Sequence, residues 1–305
     1  MPSLFSIALL WGALAQAGGS VAILQSDELP VYDAPIESFR NAVGEAVTIH
    51  QLKGDKERAR RIAADLTADP PTAVLALGAK AAWIAQNELP NTIPVVYAQV
   101  RDPDRYGLDG VHLTGVRMEM PPAMVLAQFR LLAPDVQRIA ILVSASNKDP
   151  AIAEAIAAAK AVGLSVKAQR VTSERDARRA AAKVATQTDA IWLLPDPVVL
   201  TPGTFQFVRQ QAVRNRIPLL AYSAALVDAG ALLCVAPDPA AIGIQAAQLV
   251  RRIIDEDVTP GVIEPIAPSQ ARVVLNVDVQ ESIGLRIDPM LLDFVDQTVR
   301  DKSNR

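Results

Sequence analysis

The chain has 305 residues, of which half are hydrophobic and 4% aromatic, and its formal net charge is -3. That length allows two domains with their own cores, and that hydrophobic content excludes a disordered chain. So slight a net charge supplies no basic field for a nucleic-acid partner, and the single cysteine, Cys234, allows neither an internal disulfide nor a thiolate metal cluster.

Residues 4–15 form an apolar run too short to span a bilayer, and Ala15-Gln16-Ala17 has the small-x-small form of a cleavage site. Residues 1–17 are therefore expected to be an export signal, although Met1-Pro2-Ser3 lacks the usual basic residue. No cysteine follows the run, so a lipid anchor is not expected, and later apolar stretches are too interrupted by charge or proline to predict a membrane span.

Residues 21–25 are short and apolar and predict a buried parallel strand. A polar loop over 26–35 leads to a helix around 36–43, and the alternation over 47–51 predicts a second strand. Asp55 opens a helix to about Thr67, with Ile62 and Leu66 facing inward and Arg58, Arg61 and Asp65 outward. A third strand over 73–77 ends at Gly78, a helix follows over 80–88, a fourth strand over 93–99, and a fifth strand or crossing segment over 111–116. Pro121-Pro122 starts a helix over 123–132. Then come strand 139–143, helix 150–162, strand 165–169, helix 174–186, strand 190–194, a helix around 204–214 and strand 217–222. Ser146 and Asn147 are N-cap candidates for the helix at 150, and Gly163 is its C-cap. A long helix over 239–255 precedes a proline-punctuated tail with one clear strand, 271–276.

Much of the second half restarts the first. The strand at Ile139 follows that at Val21 by 118 residues, the helix at Arg175 follows that at Glu57 by 118, and the strands at Ala190 and Ile217 follow those at Ala73 and Ile93 by 117 and 124. Strands alternating with helices imply right-handed βαβ units, so the fold class is α/β, two doubly wound parallel-sheet lobes joined by a hinge. The first lobe is expected to hold 18–118 plus about 237–263, and the second 119–236 plus about 264–305. Open α/β sheets bind ligands beyond the carboxyl ends of their strands, so two such edges facing each other make one cleft that closes about a hinge. The architecture suits an exported solute receptor or a sugar-type repressor core, and the export signal favours the receptor.

The segments Ile93-Pro94-Val95-Val96 with Asp102-Pro103, Leu113-Thr114-Gly115-Val116, Leu132-Ala133-Pro134 leading into Arg138-Ile139-Ala140-Ile141-Leu142, and the run from Val227 to Leu232 resemble the substrate-binding proteins of ABC transporters with the type 1 periplasmic-binding fold. So does the tail, through Val274-Leu275-Asn276-Val277, Ile283-Gly284-Leu285 and Leu291-Leu292. The resemblance spans nearly the whole mature chain and is closest to a largely uncharacterised subfamily that includes tryptophan and tyrosine binders. It implies a monomeric periplasmic receptor that closes on a small solute, an amino acid or related small carboxylate, and delivers it to an ABC permease. It implies no catalysis and no cofactor. By position it points to Gln25 and Ser26, to Gly78, Ala79 and Lys80, and to Tyr97 and Gln99 in the first lobe. In the second it points to Ser144, Ser146 and Asn147, to Asp196, and to Tyr222 and Ser223.

The chemistry of these residues fits such a ligand. Backbone N–H groups at 79–81 and 147–148 can hold a carboxylate at a helix N-terminus. Asp196 and Asp228 are the anions available to an ammonium, and Tyr97 and Tyr222 can flank an apolar side chain. Three departures from the subfamily count against an amino acid and toward a different solute, a more anionic one among the options: Gly78-Ala79-Lys80 after the third strand, Asp196-Pro197 after the third strand of the second lobe, and Ser223 where an acid is usual. Lys80 in a first helical turn opposes the helix dipole, a cost that an anionic ligand offsets.

Two other classes remain open from the residues alone. A sensor presenting its solute to a membrane signalling partner needs the same lobes. An enzyme needs parts that are scarce here: there is no Gly-x-Gly-x-x-Gly after the first strand, no phosphate-binding loop and no Gly-x-Ser-x-Gly elbow. His50 and His112 are isolated and expected to be ordinary strand or loop residues, and the arginine clusters at 58–61 and 175–179 to be solvated helix faces.

Overall fold

The computed structural model describes residues 20–147 and 150–300. The expected export signal lies outside the described residues, as does Lys148.

Strand and helix alternate from the start: β1 (Ser20–Gln25), α1 (Asp33–Val43), β2 (Ala46–Gln51), α2 (Lys56–Ala68), β3 (Ala73–Leu77), α3 (Ala79–Glu88), β4 (Val95–Val100) and β5 (Leu113–Arg117). These strands form one parallel sheet in the order β2-β1-β3-β4-β5. The inner strands are continuous apolar runs because both faces are covered. With side chains alternating along each strand, Ala22, Leu24, Val74, Ala76 and Val95 turn to the core shared with α2 and α3, while Val21, Ile23, Leu75 and Val96 turn to a second core with Phe39 of α1. On α2 the inward residues are Ala59, Ala63 and Leu66, with Ile62 half-buried at the margin. Asp55 caps that helix, accepting from the N–H groups of Glu57 and Arg58 at 2.9 and 3.1 Å.

The chain then leaves for a second sheet. Its elements are α4 (Pro122–Leu132), β6 (Arg138–Ser144), α5 (Pro150–Ala161), β7 (Ser165–Val171), α6 (Glu174–Val184), β8 (Ala190–Leu193), α7 (Pro202–Arg214), β9 (Leu219–Ala221), α8 (Ala224–Asp228) and β10 (Leu233–Pro237). The chain continues as α9 (Pro239–Asp255), β11 (Ala271–Asn276), α10 (Val277–Ile283) and β12 (Gln297–Val299). The second sheet has seven strands, β7-β6-β8-β9-β10-β11-β12. Its first five repeat the order of the first sheet, so the duplication extends to the fifth strand. β11 then adds antiparallel to β10, and β12 parallel to β11.

The helices that follow the two fifth strands are exchanged. α4, after β5, packs on α5 and β10 of the second sheet, while α9, after β10, packs on α1, β3, β4 and β5 of the first. The chain passes between the sheets a third time on the way to β11, and this segment is stitched to the first sheet by Arg117 N–H to Ile266 O and Ile266 N–H to Gly115 O, both 2.9 Å. It is tied to α9 by Gln245, whose Nε2 donates to Ala267 O and whose Oε1 accepts from Ser269 N–H. Past the carboxyl ends of β4 and β9 the two lobes meet, Arg101 of the first lying over Tyr222 of the second, and such strand ends are where open α/β sheets bind ligands.

Candidate ligand-binding cleft

On the first lobe, the turns after β1 and β3 are built around one glycine. Gly78 has φ +86°, and a Cβ there would lie 2.3 Å from Tyr32 Oη and 2.7 Å from Ser26 Oγ. The backbone therefore approaches Ser26 as only glycine allows. Ser26, itself buried, uses that proximity to cap α3: Ala81 N–H donates to its Oγ at 2.9 Å. The N–H of Ala81 is thus taken, and the carboxylate-holding groups of this helix N-terminus reduce to Ala79 and Lys80, whose N–H groups meet no acceptor among the described residues. The Lys80 ammonium pairs with Asp27 at 3.0 Å, so a carboxylate of the chain itself offsets its conflict with the helix dipole. Gln25 is buried at the end of β1 and borders a groove of about 790 Å³ between α1 and the edge strand β2, on the outside of the lobe.

Tyr97 does not flank the cleft. It is 1% exposed, in the core beneath β4, where its ring lies so close to β5 that a Cβ on Gly115 would meet it at 2.4 Å, and burial pushes its hydroxyl up to about 12. Gln99 is half-exposed and carries φ +57° where the β4–β5 register shifts between Tyr97 and Val100. Asp102 also has a positive φ, +51°, so two strained residues bracket Arg101. The N–H of Asp102 donates to Glu119 Oε1 at 3.0 Å, anchoring this loop to the crossing between β5 and α4.

On the second lobe, one buried carboxylate organises the edge. Asp196 is 2% exposed and accepts at both oxygens: Val198 and Val199 N–H donate to Oδ1 at 3.0 and 3.1 Å, and Ser144 N–H and Asn147 Nδ2 donate to Oδ2 at 2.8 and 3.2 Å. Burial works to raise its pKa, but the hydrogen bonds from Ser144, Asn147 and Val199 outweigh it and hold the carboxyl below its ordinary value. The group expected to meet a ligand ammonium is instead spent on the fold, shaping the loop that carries Ser144, Ser146 and Asn147. Arg170 holds the other side of that loop, donating from Nη1 to Asn147 O at 2.9 Å. Ser146 is exposed, and its hydroxyl lies 3.4 Å from that of Ser144.

Tyr222 and Ser223 stand half-exposed after β9, with Ser223 at the start of α8. Asp228 lies at the other end of α8, exposed, beside the starts of β9 and β10: Ala231 N–H returns to Leu226 O, Leu232 N–H to Leu219 O, and Asn276 Nδ2 to Val227 O. That edge is opposite the cleft, so Asp228 is removed from the site. The residue that sequence reasoning missed is Arg101, whose guanidinium reaches the second lobe and sits 4.9 Å from the ring centroid of Tyr222.

Cys234 and His112 are shut in. Burial pushes the Cys234 thiol up to about 12 and holds His112, 2% exposed, below its ordinary range. Among the described residues no group of three or more His, Cys, Asp or Glu is placed to hold a metal, and no helix is long and apolar enough to cross a membrane.

Two duplicated α/β lobes with facing strand ends define a two-lobed ligand-binding protein. The model of the ABC transporter substrate binding protein family matches residues 39–299, and the chain belongs to that family. It is 20% identical over 284 residues to the tyrosine-binding protein of Clostridioides difficile, covering 88% of this chain and 81% of that one. Among solved structures, the ligand-free, open form of a substrate binding protein with adhesive properties from Clostridium difficile superposes with a TM-score of 0.73 at 19% identity, covering 93% of this chain and 100% of the other. An ABC domain from Streptococcus pneumonia in complex with L-Trp gives 0.58 at 20% identity, again over 93% and 100%. These relatives are substrate-binding proteins, not enzymes.

Proposed function

We propose that the protein is the exported solute receptor of an ABC importer, a periplasmic monomer that closes its lobes on an amino acid or related small carboxylate and hands it to the permease. The observation that carries this reading is the contact of Arg101, past the end of β4, with Tyr222, past the end of β9, which sets the first-lobe edge that holds the α3 N-terminus toward the second-lobe edge that holds Ser146 and Asn147. Two N–H groups at the positive end of a helix suit a carboxylate, hydroxyl and amide groups opposite suit the polar remainder of the solute, and the half-exposed Tyr222 offers an apolar face. The tyrosine-binding relative and the L-Trp complex support an aromatic amino acid as the first class to test. The apolar run at 4–15 with Ala15-Gln16-Ala17 supports export.

A solute that binds only the folded protein raises its stability by RT ln(1 + [L]/Kd). A thermal-shift screen against amino acids, small carboxylates, nucleosides and sugars is expected to give an increase confined to the first two classes. A response to sugars or nucleosides alone sinks the carboxylate assignment and leaves the receptor class intact.

A further inference from the structure

We infer that Arg101 is the residue that recognises the solute's carboxylate, and that the ring of Tyr222 is its stand-in partner in the conformation described. The inference rests on the carboxylate reading above and deepens it. On the first-lobe rim, Lys80 pairs with Asp27 at 3.0 Å, Lys53 with Glu28 at 3.5 Å and Arg117 with Asp104 at 3.8 Å. Arg101 makes no salt bridge among the described residues, and its guanidinium lies over Tyr222 instead. A planar guanidinium can rest its face on an aromatic ring in one state and turn its N–H fork to a carboxylate in another, a combination that lysine does not match.

The backbone holds Arg101 in this attitude at a cost. Gln99 at φ +57° and Asp102 at φ +51° both sit in the left-handed region that side chains other than glycine disfavour, and the buried Pro103 follows at once. Such strain persists only where the surroundings over-determine it. Here the register shift in β4, the hydrogen bond from Asp102 N–H to Glu119 Oε1 and the burial of Pro103 do so. Glu119 belongs to the crossing between lobes, so this hydrogen bond ties the loop that carries Arg101 to that crossing. A carboxylate entering at the α3 N-terminus competes with the Tyr222 ring for the guanidinium. When it does, the ring that Arg101 covered becomes available to the solute's own apolar part.

The test compares L-tryptophan and L-tyrosine with tryptamine and tyramine, which lack only the carboxylate, by titration calorimetry on wild type, Arg101→Gln and Arg101→Lys. Arg101 is exposed, and melting curves of the free variants are expected to match wild type. The expected result is that wild type prefers the acids. Arg101→Gln is then expected to weaken them by about tenfold to a hundredfold while leaving the amines unchanged, with Arg101→Lys in between. Acid binding by wild type that Arg101→Gln leaves intact overturns the role of Arg101 alone. A wild type that binds the amines as well as the acids overturns the carboxylate reading and this assignment with it.

Discussion

The two lobes meet the same task, fixing the loop after a first strand against the turn after a third, by opposite means. In the first lobe the side chain belongs to the first strand: Ser26 reaches over and accepts from Ala81 N–H, and the third-strand turn contributes a glycine that lets it come close. In the second lobe the side chain belongs to the third-strand turn: Asp196 reaches back and accepts from Ser144 N–H, at the position 118 residues after Ser26. A duplicated backbone thus kept its hydrogen-bond problem and solved it twice. The physical difference is one of charge. A hydroxyl cap satisfies one donor, whereas a carboxylate satisfies four here and is ionised to do so. The first edge is consequently left with two helix N–H groups to offer a ligand, and the second with a loop whose shape depends on one buried anion.

This contrast predicts unequal sensitivity. Asp196→Ala leaves the N–H groups of Ser144, Val198 and Val199 without their acceptor in a buried site and is expected to cost about 2–4 kcal/mol in urea unfolding. The same carboxylate sets an acid limb. Its folded pKa lies below its unfolded value, so its stabilisation is complete above the unfolded carboxylate range and is lost as pH falls through the folded pKa. The melting temperature of wild type should therefore fall more steeply below about pH 4 than that of Asp196→Asn. Equal slopes would mean that another group carries the acid sensitivity.

Gly78→Ala tests the first lobe's geometry. A Cβ forced against Tyr32 and Ser26 at φ +86° is expected to destabilise by about 2–3 kcal/mol and to weaken ligand binding through displacement of the α3 N-terminus. The smallest effect is expected from Ser26→Ala, which removes a single neutral cap at a cost of about 1 kcal/mol. A Ser26→Ala cost equal to that of Asp196→Ala would erase the distinction between the two edges.

Where the chain was legible, the reason is burial on both faces of a sheet. The runs at 73–77 and 190–194 could be assigned from composition alone because neither face had to be polar, and β3 matches its expected bounds. The tail was less legible. α8 and β10 share an almost unbroken apolar stretch from Ala224 to Ala236, in which no period separates helix from strand, and β12 is only three residues long. The site was legible by position and misleading by role. Tyr97 lies midway along β4, on the same face as Val95, and that face turns it into the core. Asp228 follows a motif near the cleft in sequence, but one short helix carries it to the opposite edge.

The sequence by itself determined the duplication, the α/β alternation, the two lobes and which strand ends carry the polar loops, because periodicity and repeat spacing are local properties of the chain. Only the tertiary structure decided that Asp196 is an internal organiser, that Lys80 is already paired, and that Arg101 meets Tyr222. Those facts depend on distances between residues some fifty to more than a hundred positions apart, which no local pattern encodes.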